Sequence, residues 1–334
     1  MVSILAPHFL KVEQNNLWKS LRQFFRIIFH IIIFYNYIMI IKYGIANNNI
    51  NVTDICLSKL THNNIITIPS DDIIRCKFFG DPLLGILKKI FIINNDQINE
   101  YDYFYTIKIN IIDNTITAIS YFYISNQTRD IQSKLKIKYG SFQDELPEQQ
   151  IVVRYLTGNE KVLEIGGNIG RNTLIISSIL EKSSNLVTLE SDKTISKQLE
   201  ENRNLNNFDF HIENSALSKR KLIQKDWTTI PSDTLEEGYE WVNTITLCEL
   251  KSKYNIDFDT LVMDCEGAFY YILMDMPEIL DGINLIIMEN DYLDLSKKQY
   301  VDEILKKNGF YVDYIESGGW GPCFDNFYEA WKRE

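Results

Sequence analysis

Two hydrophobic patterns divide the chain, and the first extends from residue 39 to residue 130. Short runs rich in Ile, Tyr and Phe alternate here with Asn and Asp, which favour turns. The segment TIKINIIDNTITAISYF (106–122) alternates apolar and polar positions around an Asp-Asn pair and predicts a β-hairpin. Thr53 is placed to cap a short helix. Residues 39–130 are therefore predicted to form a small β-rich domain, with strands at 64–69, 87–94, 103–111 and 115–124.

The second pattern, from residue 149 to residue 334, alternates apolar runs with amphipathic segments. Strands that are apolar along their whole length belong to parallel sheets covered by helices on both faces. The pattern predicts an α/β domain with such a sheet, joined to the β-rich domain by a polar linker at 131–148. The predicted strands are 161–166, 185–190, 258–265, 283–290 and 310–316, with an extended segment at 208–217. The predicted helices are 170–182, 192–206, 268–280 and 297–309.

Composition and charge narrow the class of protein. The chain has 334 residues, of which 45% are hydrophobic and 24% charged, as in globular proteins. Its net charge of −11 and the lack of a basic stripe argue against a nucleic-acid partner. The five cysteines are widely spaced and form no CxxC motif, which argues against a disulfide framework or a structural zinc. We therefore expect a cytoplasmic protein.

An apolar run at residues 24–41 stands apart from both patterns. Its length approaches that of a membrane-spanning helix, but Arg26, His30 and Asn36 interrupt it. It lacks the small-residue cleavage site of a signal peptide. Residues 1–38 are therefore predicted to be an apolar N-terminal extension that packs on the protein or lies at its surface. A membrane anchor is the less favoured alternative.

The segment VLEIGGNIGRNT (162–173) marks a candidate ligand site, because ligands bind at the carboxyl ends of such strands. Its glycines permit a tight turn, but their spacing is not that of the GxGxxG dinucleotide motif. Glu164 suits an ammonium or sulfonium group, and Glu190, 26 residues later, suits the two hydroxyls of a ribose. Together they predict S-adenosylmethionine as cofactor. The loop positions assigned to it are Gly166, Gly167, Asn168 and Gly170.

Residues 147–331 resemble the FkbM-type S-adenosylmethionine-dependent methyltransferases, a class I family with a Rossmann-like, doubly wound sheet. The matching stretches are VLEIGGNIGRNT, VTLESD (187–192), LEENRNLNN (199–207), ENSALS (213–218), TITLCEL (244–250), FDTLVMDCEGAFYYIL (258–273) and INLIIMEN (283–290). The resemblance implies that Glu164, Gly166, Gly170 and Glu190 hold the cofactor. It implies further that Asn214 and Ala216 lie near the adenine, and that Asp264 and Glu266 face the reacting end. Where this family usually has a second acidic residue, this chain has Phe269.

The implied reaction is methyl transfer to a hydroxyl, and the resemblance suggests a glycan or a small metabolite as acceptor. Asp264 is the first choice for the residue that takes or orients the hydroxyl proton, and Glu266 is the second. Asp264, Glu289 and Asn290 could instead bind a divalent cation, because hard oxygen ligands suit Mg²⁺. That alternative is not favoured, and no metal is predicted.

Two rival classes of protein remain. A methyltransferase-like binding or scaffold protein without turnover is suggested by Phe269 and by the β-rich domain of unassigned role. A nicotinamide-dependent dehydrogenase is disfavoured by the glycine spacing. Cofactor binding followed by a test of turnover with candidate acceptors distinguishes these classes. The sequence does not predict the oligomeric state.

Overall fold

The computed structural model describes residues 39–94, 97–226 and 228–334. The predicted N-terminal extension, 1–38, lies outside these residues, and so does most of the apolar run at 24–41. The last residues of that run, Ile40 and Ile41, begin the first strand. No helix in the described part of the chain combines the length and apolar character needed to cross a bilayer.

The N-terminal region contains two antiparallel sheets of four strands each. Its strands are β1 (Ile40–Ile45), β2 (Asn48–Asn51), β3 (Thr61–His62), β4 (Ile65–Ile68), β5 (Lys89–Asn94), β6 (Gln97–Tyr101), β7 (Tyr105–Asn110) and β8 (Ile116–Ser120). Its helices are α1 (Thr53–Lys59), α2 (Asp72–Phe79) and α3 (Tyr121–Gln132). The sheets have the orders β2-β1-β5-β6 and β3-β4-β7-β8. The predicted β-rich character of this region is confirmed.

Alternating isoleucines join the two sheets around one core. Because side chains alternate across a strand, every second residue of β1, β4, β5 and β7 points to the same side. The fully buried isoleucines at these positions are Ile41, Ile66, Ile68, Ile90, Ile92, Ile107 and Ile109. Both sheets contribute to this cluster, so neither is expected to be stable alone.

The predicted hairpin is confirmed, but its second strand is shorter than predicted. β7 and β8 pair antiparallel from Tyr105↔Ser120 to Ile109↔Ile116. The strand predicted to continue to residue 124 ends at Ser120, whose hydroxyl accepts a hydrogen bond from the amide of Phe122 at 3.2 Å. This contact caps α3, so a serine cap overrides the β propensity of the aromatic residues that follow.

Thr53 does not cap α1 as predicted. It lies inside the first turn, and its hydroxyl accepts a hydrogen bond from the amide of Ile41 at 2.9 Å. The side chain therefore fastens α1 to β1 instead of satisfying an amide of its own helix.

The C-terminal region contains a large seven-stranded sheet and several shorter strands outside it. Its strands are β9 (Val162–Ile165), β10 (Leu186–Leu189), β11 (His211–Glu213), β12 (Ala216–Leu217), β13 (Leu222–Lys225), β14 (Thr228–Pro231), β15 (Glu240–Val242), β16 (Thr244–Ile245), β17 (Thr260–Met263), β18 (Leu285–Glu289), β19 (Phe310–Glu316) and β20 (Tyr328–Arg333). The large sheet has the order β11-β10-β9-β17-β18-β20-β19, and β20 alone is antiparallel to its neighbours. β12 pairs with β16, and β13 to β15 form a separate three-stranded sheet.

Helices cover both faces of this sheet, and each face has its own apolar core. The helices are α4 (Leu146–Tyr155), α5 (Arg171–Ile179), α6 (Lys193–Leu205), α7 (Leu247–Tyr254), α8 (Phe269–Asp275) and α9 (Leu295–Lys307). Leu163 and Leu261 belong to the core with α7, α8 and α9, whereas Val162 and Val262 belong to the core with α4, α5 and α6. The predicted Rossmann-like, doubly wound sheet is confirmed.

Two departures from the predicted elements have local causes. The helix predicted over 268–280 ends at Asp275, because Pro277 begins a 3₁₀ turn over Pro277–Leu280. β20 was not predicted, because its charged residue Glu329 interrupts the apolar pattern expected of a buried strand. In the structure Glu329 is nevertheless only 3% exposed. The carboxylate of Glu329 accepts hydrogen bonds from Lys298 Nζ at 2.9 Å and Trp331 Nε1 at 2.8 Å. Such pairing lets a charged residue occupy a buried strand.

A partly buried ion pair connects the N-terminal region to the large sheet. Asp313 of β19 accepts hydrogen bonds from Lys108 Nζ of β7 at 2.9 and 2.7 Å and from the Tyr155 hydroxyl of α4 at 2.7 Å. The predicted linker, 131–148, contains the end of α3 and the start of α4. The domain boundaries at 130 and 149 stay predictions.

Candidate active site

A cavity of about 770 Å³ lies at the carboxyl ends of the parallel strands. Each of four neighbouring strands contributes a residue at or just after its end: Gly166, Glu190, Asp264 and Glu289. This is where ligands bind in doubly wound sheets.

The glycine loop lies directly against the end of β17. The amides of Gly166 and Gly167 both donate to the Leu189 carbonyl, at 3.0 and 2.9 Å. Gly166 has a φ of +92°, and a Cβ atom built on it would lie 1.6 Å from the carbonyl oxygen of Asp264. Glycine is therefore required here by both the backbone conformation and the lack of space.

The remaining amides of the loop are also used within the protein. The Asn168 amide donates to Glu190 Oε2 at 2.9 Å, the Ile169 amide to Asn168 Oδ1 at 2.8 Å, and the Gly170 amide to the Gly167 carbonyl at 2.9 Å. All five amides from 166 to 170 thus have partners. The loop offers no free amide to a phosphate, unlike the phosphate-binding loops of dinucleotide sites.

Gly166→Ala is expected to destabilise the fold by more than about 3 kcal/mol, because it adds a clash to an unfavourable backbone conformation. Gly85 is the matched control, since its φ is +76° and its added Cβ would meet nothing within 4 Å. Gly85→Ala should therefore cost only about 1 kcal/mol. Urea unfolding of both variants measures the difference, and equal losses would contradict the close approach of Gly166 to Asp264.

Glu190 is held rigidly at the edge of the cavity. The residue is 8% exposed, and its carboxylate accepts hydrogen bonds from the amides of Asn168 at 2.9 Å and Asp192 at 2.8 Å. Asn214 does not line the cavity, but its side chain donates to the Glu190 carbonyl at 2.8 Å. Carboxylate oxygens accept more than one hydrogen bond, so Glu190 can still receive a pair of ligand hydroxyls.

Glu164 lies beneath the cavity and does not line it. The residue is 2% exposed, and its carboxylate accepts a hydrogen bond from the Thr173 hydroxyl at 2.6 Å. Burial raises the pKa of Glu164 to about 7. Because side chains alternate along β9, Leu163 and Ile165 face one layer of helices and Glu164 faces the other. The structure therefore gives Glu164 a contact with Thr173 of α5, and its predicted contact with a cofactor stays a prediction.

Six of the ten predicted site residues line the cavity and four do not. Those that line it are Gly166, Asn168, Glu190, Ala216, Asp264 and Glu266. Those that do not are Glu164, Gly167, Gly170 and Asn214. The predicted contacts of these last four residues with a cofactor stay predictions.

Two residues that were not predicted flank the glycine loop. Glu145, just before α4, forms an ion pair with Arg171 and accepts a hydrogen bond from Asn168 Nδ2 at 3.3 Å. Glu145 and Arg171 both line the cavity, so a carboxylate and a guanidinium stand beside the loop. Neither belongs to a strand end, and the polar stretch that contains Glu145 gave no signal of a site.

Carboxylates crowd one part of the cavity in two overlapping groups. Oxygens of Glu148, Asp264 and Glu289 lie within 4.8 Å of one another, and so do those of Asp264, Glu266 and Asp291. Burial and mutual repulsion raise the pKa values of Glu148 and Asp264 well above their ordinary range. Burial, with the charge of Asp291, raises the pKa of Glu289 to about 8.

These raised pKa values predict that the ligand-free protein loses stability as the pH rises. A carboxyl whose pKa is raised by folding stabilises the fold while protonated, and that stability is lost as the pH rises through the folded-state pKa, about 8 for Glu289. The Tm is expected to fall by on the order of 5 °C between about pH 6 and about pH 9. Glu289→Gln should reduce this slope, whereas Glu303→Gln on the exposed face of α9 should not. Parallel slopes by scanning calorimetry would count against the cluster.

Phe269 begins α8 and points away from the cavity. It is 2% exposed and packs in the core shared with Leu273 and Met276. The resemblance leads one to expect an acidic residue at this position, but here the side chain packs in the core. Glu266 and Asp291 supply carboxylates to the cavity.

The three-stranded sheet forms the outer wall of the cavity near Glu190. Leu222, Gln224 and Ile230 line it from this side. Ser191, the residue after Glu190, donates from its hydroxyl to Gln224 Oε1 at 2.9 Å. The sheet is fastened by Arg220, whose guanidinium binds the Asp275 carboxylate of α8 at 2.6 and 2.8 Å.

No family model and no curated protein matches the sequence, but solved structures of similar fold exist. One is a ribosomal protein L11 methylase from Lactobacillus delbrueckii subsp. bulgaricus (12% identity, 59% of this chain and 82% of that chain, TM-score 0.36). A second is an O-methyltransferase from Bacillus cereus in complex with SAH (14% identity, 63% and 91%, TM-score 0.35). A third is a Streptococcus agalactiae protein of the NADB-Rossmann superfamily (11% identity, 60% and 69%, TM-score 0.36). These likenesses concern the fold alone.

Proposed function

We propose that the protein is an S-adenosylmethionine-dependent methyltransferase of the FkbM type that methylates a hydroxyl group on a glycan or a small metabolite. The observation that carries the proposal is one continuous cavity that joins Glu190, the glycine loop and Asp264. A carboxylate that can accept a diol, a tight turn and a buried carboxylate thus line one cavity, as a cofactor with a ribose, a methionyl part and a transferable methyl group requires.

The cofactor's charges match the residues along this path. Its ribose hydroxyls donate to Glu190, and its adenine lies near Ala216 against the wall formed by Leu222 and Ile230. Its ammonium and carboxylate groups face Glu145 and Arg171, the two charged residues beside the glycine loop. In this arrangement Glu145 takes the role that the sequence suggested for Glu164.

The same loop argues against a nicotinamide dinucleotide. A pyrophosphate needs free amides or basic side chains, and all five amides from 166 to 170 already donate within the protein. Arg171, the basic residue at the loop, is paired with Glu145.

In the reaction, the acceptor oxygen attacks the methyl carbon, the bond from that carbon to sulfur breaks, and an oxygen–carbon bond forms. The cofactor leaves as the neutral thioether, and the hydroxyl proton passes to the carboxylate of Asp264. The protein contributes alignment and this proton acceptor, while the cofactor supplies the reactive methyl group. Glu266 is the alternative proton acceptor, since it lies in the same group of carboxylates.

Isothermal titration calorimetry with S-adenosylmethionine, S-adenosylhomocysteine and NAD⁺ tests the cofactor. Micromolar binding of the first two with no heat from NAD⁺ is expected. Transfer of a labelled methyl group to sugar and alcohol acceptors tests the activity. Tighter binding of NAD⁺ would overturn the proposal, and cofactor binding without transfer to any acceptor would favour the non-catalytic binding protein.

A further inference from the structure

Two large apolar side chains line the cavity although water reaches most of their surface. Trp320 is 64% exposed and Leu293 is 72% exposed. They come from separate segments, Leu293 from the residues that follow β18 and Trp320 from the loop between β19 and β20. Single exposed apolar residues are common on protein surfaces. Two that line the same cavity form an apolar surface that a bound ligand can cover.

This apolar pair lies close to the proposed proton acceptor. Leu293 follows Asp291 by two residues, and carboxylate oxygens of Asp291 and Asp264 lie within 4.8 Å of each other. The loop of Trp320 reaches the same place, since a Cβ atom built on Gly321 would lie 3.9 Å from Leu293 Cδ2. The pair therefore borders the part of the cavity where the hydroxyl of the methyl acceptor is proposed to lie.

The loop that carries Trp320 is tightly packed on the protein. The amide of Gly318 donates to the carbonyl of Phe324 at 2.9 Å and closes the loop. Gly319 has a φ of +56°, and a Cβ atom built on it would lie 2.2 Å from the ring of Phe327. The backbone next to Trp320 is thus fixed against an aromatic ring, while the indole itself stays exposed. A fixed loop loses little conformational entropy when its side chain binds a ligand.

The β-rich N-terminal region contributes to holding this loop. Where the loop begins, the hydroxyl of Ser317 donates to Asp71 Oδ2 at 3.3 Å. The other oxygen of Asp71 caps α2 by accepting a hydrogen bond from the amide of Ile73 at 2.7 Å. Near the end of the loop, Asp325 forms an ion pair with Lys77 of α2. Both ends of the loop are therefore connected to the region whose role the sequence left unassigned.

We propose that Trp320 and Leu293 bind an apolar group of the methyl acceptor, an aromatic ring or an alkyl chain, while the acceptor hydroxyl faces Asp264. This inference rests on the proposed function, because it narrows the acceptor of that site to small metabolites with an apolar group near the hydroxyl. An indole offers a large, flat apolar surface, and the leucine adds a second apolar contact. The N-terminal region supports recognition of the acceptor by holding the loop.

Matched pairs of hydroxyl compounds test the proposal on the full chain loaded with S-adenosylhomocysteine. The probes are phenyl β-D-glucoside against methyl β-D-glucoside, and 2-phenylethanol against ethanol, titrated by calorimetry. Each pair shares its hydroxyl groups and differs in the apolar group. The phenyl compounds should bind at least about tenfold more tightly, because their ring and the two side chains are removed from water together. In Trp320→Ala this preference should fall below about threefold, and Trp320→Phe should retain most of it.

Two controls keep the outcomes distinct. Trp241 of β15 is 43% exposed and does not line the cavity, so Trp241→Ala should keep the full preference for the phenyl compounds. Trp320→Ala should bind S-adenosylhomocysteine as the wild-type protein does, which shows that its fold is intact. Failure of the wild-type protein to bind S-adenosylhomocysteine would instead overturn the proposed function itself.

The proposal is overturned if the phenyl compounds bind no more tightly than their partners, and this includes the case in which no probe binds. It is also overturned if Trp320→Ala keeps the preference, or if Trp241→Ala loses as much of it as Trp320→Ala. Tighter binding of methyl β-D-glucoside than of its phenyl partner would point to a glycan acceptor held through its sugar hydroxyls.

Discussion

Asp264→Asn should lower kcat by about 10²–10⁴-fold while changing the affinity for S-adenosylmethionine by less than about threefold. The amide keeps the size and shape of the side chain but cannot accept the hydroxyl proton. Gly166 approaches the backbone of Asp264 and not its carboxylate, so the cofactor loop should be unaffected. Single-turnover methyl transfer and calorimetry measure the two quantities separately.

The pH profile separates a catalytic role of Asp264 from a structural one. Its pKa is raised by burial and by the nearby Glu289, so the ionised form grows as the pH rises. The kcat of the wild-type protein should therefore rise with pH, and that of the variant should be nearly flat. Glu266→Gln is the comparison, because Glu266 is the alternative proton acceptor in the same cluster. A larger loss for Glu266→Gln than for Asp264→Asn would transfer the role to Glu266.

Glu190→Ala should weaken binding of S-adenosylhomocysteine by about 100-fold or more. The variant loses two hydrogen bonds to a charged acceptor, each worth about 1.5–3 kcal/mol. It also frees the amides of Asn168 and Asp192, which the carboxylate now holds at 2.9 and 2.8 Å. Calorimetry measures the loss, and far-ultraviolet circular dichroism verifies the fold.

Glu190→Gln is the matched control for this effect. The amide retains one oxygen for a hydroxyl or a backbone amide, so the affinity should fall by only about tenfold. Asn214→Ala removes a contact to the Glu190 carbonyl without touching the cavity, and should have a smaller effect still. An unchanged affinity in Glu190→Ala would mean that the ribose lies elsewhere.

Much of the proposed cofactor-binding part of the cavity could be predicted from the sequence, because its residues follow strand ends. Gly166, Glu190 and Asp264 come directly after β9, β10 and β17, and parallel strands bring their carboxyl ends to one edge. The hydrophobic runs that predicted these strands are local features of the sequence. The positions of these three residues therefore followed from pattern alone.

The direction of a side chain was harder to predict than its position. Glu164 stands beside the glycine loop in sequence, but the alternation along β9 turns it toward α5 and Thr173. Phe269 stands close to Asp264 in sequence, but the first turn of α8 turns it into the core. In both cases the packing of a neighbouring helix decided which residues face the cavity.

The sequence by itself determined the order of strands and helices, the glycine turn and the acidic strand ends, since each depends on residues close together in the chain. Only the tertiary structure decided that Glu145 and Glu148 join them. These residues lie in and beside α4, which packs on β18 and β20 through apolar residues such as Ile151 and Val152. That packing brings together residues more than a hundred positions apart in the sequence, here Glu148 and Glu289. No local sequence pattern predicts such a contact.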